Sequence, residues 1–549
     1  MEVFMKLVSI KKRWLLFFLL TILGCAAIAS AADTKTKEEK LAAPYFDKGN
    51  KSLQKGKYDE AIVNYTKAIE LYTDYQDAYY NRGVVYKGLG RNDEALADLS
   101  KVIEINPKAA DAYLNRALIY TQKGLLDEAV SDYSKVIEIN PGVSDEIYYD
   151  RGLIYYSKNK NDLAIADFSK AIELKPTSAE AYLSRGYAYC GKGQYDLSIT
   201  DFNKVLEINP ASDKVYLGRG ISYLGKQNYD SAISDLTKTI EKDPKSGNAY
   251  LFRGQAYLNK RNYESAIADL SKALEISPKL AAVYSLRGKA YLNKQNYDQA
   301  ISDYTKALEL NPKDADVYYD RGTAYSNKQN YDSAISDFAK ALELNPKSTE
   351  AYYGRAIVYF NKQEYDSAIS DFTKALELNP KAAEAYYARG TAYNNKQNYD
   401  LAIADFTKVL ELNPKSGDAY YGRGFAYNIK QNKDSAISDF TAAIELKPEN
   451  VNAYIYRGDN YNEKNQLESA LQDYNKAIEL SPNNGKIYIY RAVVYMKQKN
   501  FQLAWADVEK AKAMGETDPD LIERLTNESQ PKKEPPPKKE VKSTQPKKK

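Results

Sequence analysis

Between Ala42 and Asp518 one 34-residue pattern returns fourteen times, and that periodicity limits the fold more than any other feature of the chain. The repeats begin at Ala42, Gln76, Ala110, Asp145, Ala179, Asp213, Gly247, Ala281, Ala315, Thr349, Ala383, Gly417, Val451 and Gly485, with one residue inserted near Ser144; they are numbered 1 to 14 below. A unit this short cannot enclose a core of its own. It buries its apolar face only by stacking on its neighbours, so the expected architecture is a solenoid rather than three or four globular domains.

Each repeat reads as two helices, A and B. In repeat 11, Tyr386, Gly390 and Tyr393 are spaced four and three apart, which places them on one stripe of helix A. Ala402, Phe406 and Val409 form the matching stripe of helix B. Asn398 is expected to cap helix B, Asp400 puts negative charge in its first turn, and Pro414 stops it. Small residues recur where the helices must meet: Gly83, Gly152, Gly186 and Gly220 on helix A, and Ala95, Ala129, Ala164 and Ser198 on helix B. The turn between A and B carries Gly56, Gly90, Gly124 and Gly193 in early repeats. Later repeats replace that glycine with Gln, and Asn330 and its equivalents are the residues expected to take the left-handed conformation.

A charge pair repeats in step with this pattern. Arg precedes the small residue of helix A in thirteen repeats, and Asp follows sixteen residues later in the same thirteen. The spacing predicts an A-to-B ion pair in each, among them Arg321–Asp337, Arg355–Asp371 and Arg389–Asp405. Repeat 1 has Lys48 and Asn64 instead. The matched acid argues against a bare row of anion-binding arginines.

Composition removes whole classes of function. The chain has no histidine, so the commonest general base and imidazole metal ligand are both missing. Its two cysteines are Cys25 and Cys190, too few for a thiolate metal site. No Gly-rich phosphate loop interrupts the repeats. The expectation is a non-enzymatic protein with no metal and no cofactor. Net charge is +4, but residues 1–32 carry +3 and residues 527–549 carry +5, so the body between is mildly acidic. That excludes a nucleic-acid footprint spread along it.

The repeat closely resembles the tetratricopeptide repeat family. Repeat 9 carries the family's residues at their usual offsets: Tyr318, Gly322, Tyr325, Ala334, Phe338, Ala341 and Pro346. The first aromatic is Tyr in every repeat, where the family often has Trp, and the proline is replaced by Thr73 in the first repeat and Glu516 in the last. The resemblance implies an all-α, right-handed superhelical solenoid of antiparallel helix pairs with helix A lining an inner groove. Tyr319, Tyr353, Tyr387 and Tyr421 form one row there. Thr323, Ile357, Thr391 and Phe425 form a second, and Asn259, Asn293, Asn327, Asn361 and Asn395 a third. Rigid amphipathic rings and amides that donate and accept suit an extended segment of a partner protein. The lysines with which some family members clamp a terminal carboxylate are mostly Tyr or Leu here, so that mode is not expected. Cys190 falls on the same side as a small apolar filler.

The two ends read differently. Residues 1–32 have the form of a secretion leader: Lys6, Lys11, Lys12 and Arg13, then an apolar run from Trp14 to Leu23, then small residues. Cleavage at Ala29-Ser30-Ala31, lipidation of Cys25 through Ile22-Leu23-Gly24-Cys25, and an uncleaved anchor are three alternatives. The first is preferred, because Leu23 is not the favoured residue at its place in a lipobox. Each puts the repeats outside the cytoplasm. Residues 33–41 are expected to be a linker and residues 519–549 a basic tail, rich in Pro and Lys from about Asn527 and without the apolar content to order itself. The leading expectation is therefore an exported scaffold for other proteins in a bacterial envelope. The alternative is a structural tether whose tail or Cys25 lipid meets a membrane or anionic surface polymer.

Overall fold

The structure, a computed structural model, describes residues 36–529. These residues form 29 helices and no strand. Twenty-eight of them pair as fourteen antiparallel A/B hairpins, one per repeat, and the last stands after them. Described residues up to Pro278 make one compact body and those from Lys279 another, which gives seven repeats to each. Within each body helix A packs on its own helix B, and helix B on the A helix that follows.

Repeat 9 shows how the sequence writes one unit. Helix A runs Ala315–Asn327 and helix B Tyr331–Leu344. The Asp314 carboxylate accepts the Val317 amide at 3.2 Å and so caps helix A. Asn330 caps helix B by accepting the Ser333 amide at 3.4 Å. Helix B ends where Asn345 turns extended ahead of Pro346. Ala324, Ala334 and Phe338 are wholly or almost wholly buried between the helices. A Cβ on Gly322 would lie 3.1 Å from the Phe338 ring, which is why this position stays small.

The turn differs from the sequence expectation by one residue. Gln329, not Asn330, takes the left-handed conformation, at φ 63°. The helix A exit sets this. The Asn330 amide reaches back to the Tyr325 carbonyl at 2.9 Å, and such a closing bond puts the preceding residue in the left-handed region. Gln227, Gln295, Gln363, Gln397 and Gln431 do the same at φ 59–63°, where the early repeats have glycine at φ 70–76°. Asn398 sits at the start of helix B but makes no side-chain capping bond. The caps that do form from Asn228, Asn262, Asn330, Asn432 and Asn500 are long, 3.2–3.4 Å, so a small rotation loses one.

Both ends of the array are more helical than expected. The first A helix begins at Lys37, inside the assigned linker, because the Thr36 hydroxyl accepts the Glu39 amide. The assigned tail begins with a helix, Pro519–Ser529. Leu521 and Leu525, four apart, bury against Tyr488, Val508 and Ala511 and cover the apolar face that repeat 14 would otherwise leave to water. The Asp518 carboxylate accepts the Leu521 amide, so Asp518-Pro519 is a cap followed by a first-turn proline that the sequence already displayed. The leader, with Cys25, and the Lys-rich part of the tail lie outside the described residues. Among the described residues no helix is long and apolar enough to cross a membrane.

Candidate binding face

Helix A of each repeat carries two kinds of functional-looking residue, and the structure separates them. The arginines face inward between helices. Arg321 donates Nε and Nη2 to Asp337 at 2.7 and 2.8 Å, a two-pronged pair, and Asp337 is buried. Arg355–Asp371 and Arg389–Asp405 repeat this at 2.6–2.9 Å, as do the ten other pairs from Arg82–Asp98 to Arg491–Asp507. Tyr318 and Tyr325 flank the Arg321 guanidinium at 5.6 and 6.0 Å. Its Nη1 then donates to the Thr305 hydroxyl of the preceding repeat at 3.0 Å, so one side chain ties three helices together. A second set of cross-repeat ion pairs runs along the exposed edge, such as Lys328–Asp298 at 2.5 Å and Lys362–Asp332 at 2.9 Å.

The tyrosine row lies one residue past this packing stripe. Tyr319, Tyr353 and Tyr387 each place their ring 5.7 Å from a phenylalanine of their own helix B, and Tyr421 does so at 6.0 Å. These rings are backed by the core yet only partly buried; Tyr387 is 37% exposed. Burial raises their phenol pKa values, that of Tyr421 to about 12, so the hydroxyls remain donors at neutral pH. Asn327, Asn361 and Asn395 are exposed. Asn395 spends one amide hydrogen on the Thr391 carbonyl, and Thr323 and Thr391 bond back to the carbonyls of Tyr319 and Tyr387. All seven of these tyrosines and asparagines stand on the A helices of repeats 9–12, within the second body. Asn259 belongs to the first. The Cys190 thiol is partly buried, and that burial raises its pKa.

Two features of this face escaped the sequence reading. The phenols of Tyr319, Tyr353 and Tyr387 lie within the field of a carboxylate from the next repeat: Glu350, Glu384 and Asp418. The sequence signal was an acid at the second position of these repeats. Lys347, Lys381 and Lys415 stand three residues before those acids, so the rim carries both signs. Next to this row lies an aromatic cluster. Tyr456 stacks on Phe440 at 5.8 Å and meets Phe425 edge-on at 5.6 Å, with Tyr421 at 6.2 Å. Only Tyr421 and Phe425 of these had been assigned to the face. Among the described residues no three His, Cys, Asp or Glu side chains gather where a metal ion could sit.

Comparison with known proteins agrees with the repeat geometry. Profiles described as "Tetratricopeptide repeat" match residues 217–281, 285–349, 319–383, 353–416 and 387–451, and another matches 77–109, 110–143 and 179–212. A third, described as "TPR repeat", matches 49–90, 152–192 and 458–499. No curated protein is similar enough in sequence to count as a relative. Among solved structures, the APC/C hetero-tetramer Cut9–Hcn1 is 17% identical over 88% of this chain and 96% of that one, with a TM-score of 0.33. Yeast Tom70 is 21% identical over 78% and 97%, with a TM-score of 0.32. YrrB, titled a TPR protein with an unusual peptide-binding site, is 29% identical over 36% and 97%, also at 0.32. Fourteen helix hairpins with this residue pattern, matched by the family's profiles from residue 49 to residue 499, make the chain a member of the tetratricopeptide repeat family.

Proposed function

We propose that this protein is an exported scaffold that holds extended segments of partner proteins along the A helices of repeats 9–12. That it is a protein-interaction scaffold follows from its family. The groove, the peptide ligand and the envelope location are the proposed parts. The observation that carries the groove is the row Tyr319, Tyr353, Tyr387 and Tyr421, each ring braced on the core and only partly buried. A braced ring loses little freedom on contact, which favours binding over a mobile side chain. The exposed amides of Asn327, Asn361 and Asn395, about two turns along the same helices, offer partners to a peptide backbone. The leader sequence supports export.

The test compares the full chain with a Tyr353→Ala/Asn361→Ala/Tyr387→Ala variant of equal helicity and melting curve, each immobilised and exposed to solubilised envelope proteins. A partner held by the first and lost by the second supports the groove. Equal capture by both moves the binding surface elsewhere.

A further inference from the structure

Thirteen buried aspartates on B helices each have an arginine. Asp459, on helix A of repeat 13, has none: among the described residues no lysine or arginine pairs with it. It is half-buried and accepts the Tyr474 hydroxyl at 2.5 Å. Burial pushes its carboxyl up to about 6. Holding Tyr474 does not explain the charge. In repeat 1 the equivalent tyrosine, Tyr65, donates to Asn50 at the equivalent place at 2.8 Å, so a neutral amide does that work.

What surrounds Asp459 accounts for a charge. Tyr456 lies one turn before it on the same helix, and its ring is fixed by Phe440 and Phe425. Tyr490 comes from the next A helix, 6.1 Å from the Tyr474 ring. Burial raises both the Tyr456 and the Tyr490 phenols, and the Asp459 charge raises them further, so both rings lie within its field. Glu463, the next acid along, already holds Lys433 at 2.8 Å. A carboxylate with two tyrosine rings in its field and no paired cation is the chemistry that receives an alkylammonium group, with its apolar stem on the rings and its charge on the acid.

We propose that Tyr456, Asp459 and Tyr490 form a pocket for a lysine side chain, and that the Lys-rich segment after Ser529 of the same chain fills it. That segment, residues 530–549, carries eight lysines against two glutamates. It leaves from the helix packed on repeat 14, whose A helix supplies Tyr490. Twenty extended residues reach about 60 Å, several times the 8–10 Å between packed helices. The pocket rests on the reading that helix A faces a ligand, but it uses none of the residues of the Tyr353–Asn361–Tyr387 surface.

The test uses the full chain with its eight tail lysines changed to glutamine, and a labelled peptide of residues 530–549 as probe. The peptide is expected to bind. Asp459→Asn should weaken it about tenfold without any loss of thermal stability, since asparagine still accepts from Tyr474. The Tyr353→Ala/Asn361→Ala/Tyr387→Ala variant should bind it fully. The chain with its natural lysines should bind it at least about tenfold more weakly, independently of protein concentration, because its own segment competes from a high effective concentration. No binding, indifference to Asp459→Asn, or loss in the triple variant overturns the pocket. Equal binding by the lysine and glutamine chains, or competition that fades on dilution, overturns its filling by the same chain. Partner capture by the groove is read separately, so either idea can fail alone.

Discussion

Tyr304 and Tyr474 occupy the same place in repeats 8 and 13, both with no exposed surface, yet only Tyr474 has an acceptor for its hydroxyl. Burial, with Asp320 and Asp303 in its field, raises the Tyr304 phenol far above its ordinary value. Six other repeats have phenylalanine there, such as Phe338 and Phe372. The two tyrosines therefore respond oppositely to one substitution. Tyr304→Phe should raise stability by about 1–3 kcal/mol, because it removes an unsatisfied buried hydroxyl. Tyr474→Phe should lower it by a similar amount, because Asp459 loses its donor. Chemical unfolding of the two variants beside the parent gives both signs.

Arg321 predicts the cost of cutting a repeat's internal tie. Arg321→Leu leaves Asp337 buried and unpaired, and about 3–5 kcal/mol should be lost. Because stability in such arrays is local, the loss should appear as faster amide exchange in repeats 8 and 9 before the rest. An unchanged exchange pattern would contradict the tie.

Arg355 offers the converse. Ala339 stands where other repeats have a hydroxyl or amide to receive Nη1, and that third bond is missing. Ala339 is exposed, so Ala339→Thr should fit and add about 1 kcal/mol across the junction of repeats 9 and 10. A double variant with Arg355→Lys, which cannot make the forked contact, should show no such gain.

Gln329 carries backbone strain that the early repeats avoid with glycine. The left-handed conformation costs a non-glycine residue about 1–2 kcal/mol, and glycine's added freedom in the unfolded chain returns roughly 0.5–1 of that. Gln329→Gly should therefore stabilise by about 0.5–1 kcal/mol, and Gln295→Gly and Gln363→Gly likewise. Melting temperatures of the single and combined variants check whether the gains add.

Asp459 sets a pH dependence whose sign follows from its raised pKa. A carboxyl near 6 in the fold and near 3.9 unfolded favours folding when protonated. That contribution is complete below about pH 4 and is lost as pH rises through 6, amounting to about 2–3 kcal/mol. In the chain with glutamines in its tail, where no lysine competes, repeat 13 should open more readily at pH 7.5 than at pH 4.5. Asp459→Asn should flatten that difference and be the more stable of the two at pH 7.5. Amide exchange at both pH values, corrected for intrinsic rates, measures it.

Sequence alone determined the repeat. Its period, the Tyr–Gly–Tyr and Ala–Phe–Ala stripes and the Arg–Asp spacing name the helices, their pairing and the thirteen ion pairs, because each is a relation between residues a fixed number of positions apart in one rigid hairpin. The closing helix was legible too, in Asp518-Pro519 and the Leu521–Leu525 spacing, but its charged surroundings hid it. Tertiary structure alone decided what happens between repeats. Whether a turn strains Gln329 or Asn330 depends on where the Tyr325 carbonyl points. Whether Tyr304 or Tyr474 finds an acceptor depends on side chains one helix away. That Asp459 has both Tyr456 and Tyr490 in its field and no paired cation follows from two A helices meeting, and no periodicity within a single repeat encodes the distance across that junction.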